Sequence, residues 1–189
     1  MTADAKMEKV ATGVRGRGVW EHFTVLDGLP DMKVECLAED RDGMIWVGTH
    51  DGGAARYDGE HFECFSTDDG LSCDSVYSIT EGLDGTIWFG TSRGLTRYDG
   101  KTFEVIDGSQ EYSFLWGACV DDDGVLWFGL DRRPGKPAGV IRCDGGAVQL
   151  IEAEEEPSIS IHSMVLLEGA VIATGHRGYV ASEGMTPLQ

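Results

Sequence analysis

Short apolar runs alternate with polar positions along most of the chain, and Asp-Gly or Gly-bearing turns separate them. No segment sustains the 3.6-residue apolar period of an amphipathic helix. The pattern predicts strands: a first set (A) at 34–39, 76–81, 115–121 and about 160–167. An Asp-Gly turn follows each of the first three; both residues tolerate positive φ, which favours a tight hairpin. Next comes strand B, the Ile-Trp-Val-Gly-Thr segment and its relatives. A Gly-bearing loop (Asp51-Gly52-Gly53; Arg93-Gly94) leads to strand C at 54–57 and 95–98. A second Asp-Gly turn leads to strand D around Phe62 and Phe103.

These strands repeat. Asp42-Gly43-Met44-Ile45-Trp46-Val47-Gly48-Thr49 returns as Asp84-Gly85-Thr86-Ile87-Trp88-Phe89-Gly90-Thr91 and as Asp123-Gly124-Val125-Leu126-Trp127-Phe128-Gly129-Leu130. A worn fourth copy is Glu168-Gly169-Ala170-Val171-Ile172-Ala173-Thr174-Gly175. The tryptophan position falls at 46, 88, 127 and, as isoleucine, 172, in steps of 42, 39 and 45. Arg56-Tyr57-Asp58-Gly59 keeps the same beat with Arg97-Tyr98-Asp99-Gly100 and Arg142-Cys143-Asp144-Gly145. So do Phe23, Phe62 and Phe103, and the Asp-Gly-Leu copies at Asp27 and Asp69.

Four antiparallel strands recurring about every 40 residues are the signature of a β-propeller blade. The expected fold is all-β: a propeller of about four blades, spanning roughly 26–65, 66–106, 107–151 and 152–189, after a tail at 1–18. The strand B tryptophan reads as packing between adjacent blades. The segment Arg17-Gly18-Val19-Trp20-Glu21-His22-Phe23 aligns with Arg56-Tyr57-Asp58-Gly59-Glu60-His61-Phe62. A strand at 19–25 is therefore expected either to complete the last blade and close the ring, or to mark a piece of a larger propeller. Pro187 stands where the fourth strand D should carry phenylalanine, and proline cannot donate to a ladder.

The motifs Asp-Gly-x-Ile-Trp-[Val/Phe]-Gly-Thr, Arg-Tyr-Asp-Gly and Asp-Gly-Leu resemble the two-component regulator propeller repeat, which builds the sensor domains of bacterial hybrid two-component regulators. The resemblance covers nearly all of residues 20–189. It implies a ligand-sensing or docking propeller, in many relatives for carbohydrate, and it carries over no catalytic residue. Family members usually bring a signal, more blades, a membrane helix and a kinase, none of which is legible in this sequence. The strand B element also resembles, more loosely, the blades of streptogramin lyase, a seven-bladed enzyme whose ring four repeats would leave incomplete.

Composition narrows the partners. Against 33 Asp+Glu stand 15 Lys+Arg, for a net charge of −18. Nucleic acid is not an expected partner, because phosphate binding needs a basic surface. Membrane insertion is not expected either, since no apolar run approaches the roughly 20 residues that span a bilayer. Residues 1–18 lack the apolar stretch of a secretory signal. The chain as written reads as cytoplasmic, and as periplasmic if it is a fragment of a larger sensor. The five cysteines, Cys36, Cys64, Cys73, Cys119 and Cys143, fall at different repeat positions and form no Cys-x-x-Cys. They read as reduced, mostly buried thiols rather than a disulfide framework or zinc site. Asp40, Asp42 and Asp121–Asp123 have the spacing of hairpin turns more than of a calcium site, so no metal and no cofactor is expected.

The candidate ligand residues gather on one expected face. Arg56, Arg97 and Arg142 read as partners of blade carboxylates. Arg93, Arg132 and Arg177 align instead in the B–C loops, beside His50 and His176 just after strand B. The D–A loop before the third strand A adds Tyr112, Phe114 and Trp116. Arginines and aromatics on the shared B–C/D–A face suit an anionic or sugar-like ligand, through charge-assisted hydrogen bonds and ring stacking. The expected function is non-catalytic sensing or binding of a small molecule, an oligosaccharide or a protein partner, with homodimerisation if the ring is open. The rival functions are a propeller lyase acting on a small molecule and a protein-interaction scaffold.

Overall fold

A computed structural model describes residues 21–131, 139–152, 161–167, 170–175 and 179–180. The first sheet contains β1 (Val34–Glu39), β2 (Ile45–Thr49), β3 (Ala54–Tyr57) and β4 (Phe62–Phe65). The second contains β5 (Val76–Glu81), β6 (Ile87–Thr91), β7 (Gly94–Tyr98) and β8 (Phe103–Val105). The third contains β9 (Leu115–Val120), β10 (Leu126–Leu130), β11 (Gly139–Asp144) and β12 (Ala147–Glu152). The fourth contains β13 (Ile161–Leu167), β14 (Ala170–Gly175) and β15 (Tyr179–Val180); its expected fourth strand lies outside the described residues. Each sheet is an antiparallel meander in chain order, and the only helical element among the described residues is a 3-10 turn at Ser109–Glu111. Every strand A and strand B expected from the sequence is present, to within a residue at either end.

The first strand of each blade is the inner one: β1 packs on β5, β5 on β9 and β9 on β13. Between neighbouring blades lies an apolar layer. Trp46, Ala54 and Phe65 meet Val76, Ile79 and Phe89 in the first joint. Trp88 and Leu95 meet Leu115, Leu126 and Phe128 in the second, and Trp127 and Cys119 meet Ile161, Met164 and Val171 in the third. The tryptophans are thus inter-blade core. The indole Nε1 of Trp46 donates to Asp40 and that of Trp127 to Asp121, each at 2.8 Å. The same aspartates accept turn amides from Asp42, Met44, Asp123 and Val125, so these carboxylates belong to the hairpins.

The motif glycine of strand B follows from the joint. A Cβ on Gly90 would stand 2.7 Å from the Leu115 carbonyl oxygen, and one on Gly129 2.3 Å from Ile161. The next blade's inner strand occupies the space of any side chain there. Arg56, Arg97 and Arg142 pair with Glu63, Glu104 and Asp144 within their own blades, as expected. Arg41 reaches across the first joint to the Glu81 carboxylate and donates to the carbonyls of Gly82 and Leu83 at 3.0 Å.

Residues 21–25 form no strand; residues 19 and 20 lie outside the described residues. Phe23 packs on Tyr57 and Phe62 of the first blade, with ring centroids 5.2 and 5.4 Å apart. The Thr24–Asp27 turn, tied by two bonds of 2.8 Å to the Asp27 carboxylate, sets that direction. All five cysteines are free. Cys119 and Cys143 are buried and Cys64 is exposed; burial pushes the Cys36 thiol up to about 12 and the Cys119 thiol up to about 11.

Candidate functional site

Each inner strand starts with an irregular step in its ladder with the second strand. The step skips Glu35 in β1, Tyr77 in β5 and His162 in β13. In β9 it shifts by one residue to Gly117, whose φ of 33° lies in the left-handed region. A bulge of this kind re-aims the side chains around it. Here the steps lie at the start of the inner strands, beside the loops that follow the second strands. Glu35, Tyr77 and Trp116 line one cavity of about 510 Å³ together with Lys33, His50, Ser75, Ser92 and Phe114.

The cavity has two unlike walls. One is aromatic: the Tyr77 and Trp116 rings lie 4.5 Å apart and tilted by 32°, with Phe114 5.5 Å from Tyr77. The row continues from Trp116 to His162, 5.7 Å away. The Trp116 Nε1 is buried without a hydrogen-bond partner among the described residues. An orphaned buried donor costs about 1–3 kcal/mol, which a ligand acceptor would remove. Phe114 adopts φ 58°, and its carbonyl accepts the amides of Trp116 and Asp131 at 3.1 Å each. A bulky residue in the left-handed region costs on the order of 1–3 kcal/mol and collects at functional sites.

The other wall is charged. Glu35 Oε1 lies 2.8 Å from both Lys33 Nζ and His50 Nδ1, and Lys33 Nζ lies 3.1 Å from that same Nδ1. His50 Nδ1 can play only one role at a time. Protonated, it donates to Glu35; unprotonated, it accepts from Lys33 and leaves the proton on Nε2. The Glu35 carboxylate raises the Lys33 pKa by hydrogen bonding, which holds the ammonium charged. The cluster is a compact set of donors and acceptors facing an aromatic plate.

The cavity occupies the B–C/D–A face singled out from the sequence. Of the candidate residues, His50 and Trp116 line it. Tyr112 does not; it packs against the core between the second and third blades. Arg93 sits exposed in its B–C loop, outside the lining, and makes no ion pair with a described residue. Arg132, Arg177 and His176 lie outside the described residues. The cation at the cavity is Lys33; it, Glu35 and Tyr77 line the cavity without being among the candidates from the sequence. A signal was present: the second residue of strand A is Glu, Tyr, Trp and His in successive blades, while its surroundings repeat.

A family model described as a two component regulator propeller matches residues 28–51, the first hairpin of the first blade. Among curated proteins none matches the chain by sequence. Solved structures share the fold over most of it. The extracellular domain of a protein described as a hybrid two component system of B. thetaiotaomicron is 17% identical with a TM-score of 0.70, covering 88% of this chain and 24% of that one. The extracellular domain of a one component system of the same organism gives 19%, 0.62, 82% and 22%. Virginiamycin B lyase from Staphylococcus aureus gives 18%, 0.67, 85% and 56%. The chain therefore spans about a quarter of the first two proteins and just over half of the lyase. At these identities the likeness fixes the fold, a β-propeller. No helix among the described residues is long and apolar enough to cross a membrane.

Proposed function

We propose that the chain is a non-catalytic ligand-binding propeller module of a bacterial sensor, with its ligand seated in the cavity at the mouth of β1, β5 and β9. One observation carries the reading: the position that differs from blade to blade is the one whose side chains in the first three blades, Glu35, Tyr77 and Trp116, line one shared cavity. The Tyr77–Trp116 plate suits the flat face of a sugar ring. Glu35, His50 and Lys33 supply acceptors and donors for its hydroxyls and for one anionic substituent. The expected ligand is thus an oligosaccharide or sugar-like small molecule. The extracellular placement of the similar sensor domains favours a periplasmic setting over the cytoplasmic one.

Titration of the full chain with neutral and acidic oligosaccharides, followed by tryptophan fluorescence and calorimetry, tests the reading. Binding should perturb Trp116 emission, Trp116→Phe should lose that signal, and His50→Ala should weaken affinity about tenfold, the equivalent of one hydrogen bond. Binding that ignores both substitutions would place the site elsewhere.

The His50–Glu35 pair supports a second reading, a propeller lyase in which Glu35 orients a histidine base. Time-resolved product analysis separates the two: a binding module returns every oligosaccharide unchanged.

A further inference from the structure

The charged wall of the cavity holds a conflict. Lys33 Nζ, Glu35 Oε1 and His50 Nδ1 form a triangle with sides of 2.8, 2.8 and 3.1 Å, the longest joining the ammonium to the ring nitrogen. No single protonation state satisfies all three sides. A bare Nδ1 accepts from Lys33 and sets its lone pair against the Glu35 oxygen; an Nδ1 that carries a proton donates to Glu35 and offers Lys33 no acceptor. The backbone keeps the three together, since the His50 amide donates to the Lys33 carbonyl at 3.0 Å. Other elements bring Tyr77 of β5, its ring 6.1 Å from that of His50 in a T-shaped arrangement, and Asp51, whose amide donates to the Asp31 carboxylate at 3.3 Å. Neither aspartate lines the cavity, and the remaining lining residues, Ser75, Ser92, Phe114 and Trp116, carry no charge. Lys33 and Glu35 cancel each other. The lining is therefore neutral while His50 is neutral and singly positive once the imidazole takes a proton. Hydrogen bonding to Glu35 raises the Lys33 pKa, so its ammonium stays charged throughout.

We propose that this triangle makes the cavity a pH-dependent selector for acidic oligosaccharides, which holds carboxylate- or sulfate-bearing sugars more tightly as pH falls. The proposal rests on the oligosaccharide reading above; it adds the charge class of the ligand and the control of its affinity. Protonation of His50 acts in two ways at once. Its Nδ1–H is committed to Glu35, so the Lys33 ammonium has no acceptor on the ring and is left for the ligand. An anion in the cavity then meets two cations and one carboxylate, in place of one of each. Linkage fixes the sign. An anion favours the protonated imidazole, so its binding takes up protons and its affinity rises as pH falls. A neutral sugar carries no charge on which that proton can act.

Calorimetry on the full chain tests the proposal with a galacturonic acid trisaccharide and the matching neutral galactose trisaccharide. Titrations at about pH 7.5 and about pH 5.5 bracket the range in which histidine changes charge. The uronic carboxylates, like an α-carboxyl, are ionised at both values. The acidic probe should bind about three- to tenfold more tightly at the lower pH, inside the limit of about tenfold per pH unit that a single proton sets. Repetition in two buffers of different ionisation enthalpy should show net proton uptake on binding. The neutral probe should bind equally at both values. His50→Gln should abolish the pH response and the proton uptake of the acidic probe, and His50→Asn repeats the test should glutamine disturb folding. A flat or inverted response to the acidic probe, an equal response to the neutral one, or a response that survives the histidine substitution would overturn the proposal and leave the binding reading standing. If neither trisaccharide binds at either pH, the oligosaccharide reading fails and the proposal falls with it.

Discussion

Two layers of the same blades teach opposite lessons. Trp46, Trp88 and Trp127 occupy one position, are all buried, and pack each blade on the next. Glu35, Tyr77, Trp116 and His162 also occupy one position, near the start of strand A, and no two are alike. The first layer must repeat because every joint poses the same packing problem. In the first three blades the second layer faces one shared cavity, to which Glu35, Tyr77 and Trp116 bring three different chemical groups, and His162 continues the row from Trp116. Repetition within the chain marks the fold, and variation at a structurally equivalent position singles out the candidate site.

The largest effect is expected from the repeating layer. Trp46→Ala or Phe128→Ala should cost about 3–5 kcal/mol, the usual range for a buried aromatic, measured as a fall in the denaturation midpoint. Next comes Gly90→Ala, whose new methyl would meet Ser78 and the Leu115 carbonyl; the loss should be about 1–3 kcal/mol. Asp40→Ala should follow at a similar or smaller cost, because it strands the Trp46 indole and two turn amides. If these three left stability unchanged while a cavity substitution lowered it sharply, the distinction between the layers would be broken.

This contrast also explains what could be read before the structure. The strands of the blades, the four sheets, the indole packing and the arginine–carboxylate pairs were legible because each depends on residues that recur at fixed spacing; the strand expected at 19–25 was not, since residues 21–25 form none. The face that carries the cavity was legible from strand direction. Its membership was less so. Tyr112 lies close to Trp116 in sequence, but the 3-10 turn at Ser109–Glu111 sends it into the second joint. Glu35 and Lys33 resembled any charged residues of an acidic surface until the bulge aimed the carboxylate at His50.

A smaller effect concerns acid. Hydrogen bonds hold the carboxyls of Asp27, Asp58, Asp84 and Asp99 below the usual value of 3.8; Thr24, the His61 amide, Thr86 and the Thr102 amide are their respective leading donors. A pKa lower in the folded than in the unfolded chain contributes stability above the unfolded value, lost as pH falls through the folded one. Melting temperature should therefore drop as pH is lowered from about 5 through 3.8 and below. Asp58→Asn with Asp99→Asn should make that slope shallower while keeping the turn acceptors. An unchanged slope would remove these turns from the acid response.

The central claim is that the varied layer binds and the repeated layer folds. It is tested most directly by thermal melts of wild type and of the Lys33→Ala/His50→Ala double variant, with and without the oligosaccharide that binds wild type most tightly. Both side chains are partly solvent-exposed, so their removal should shift the unliganded melt little. The account predicts nearly equal unliganded melting temperatures and a ligand-induced rise confined to wild type. An equal rise in both proteins, or a double variant that no longer folds, would contradict it.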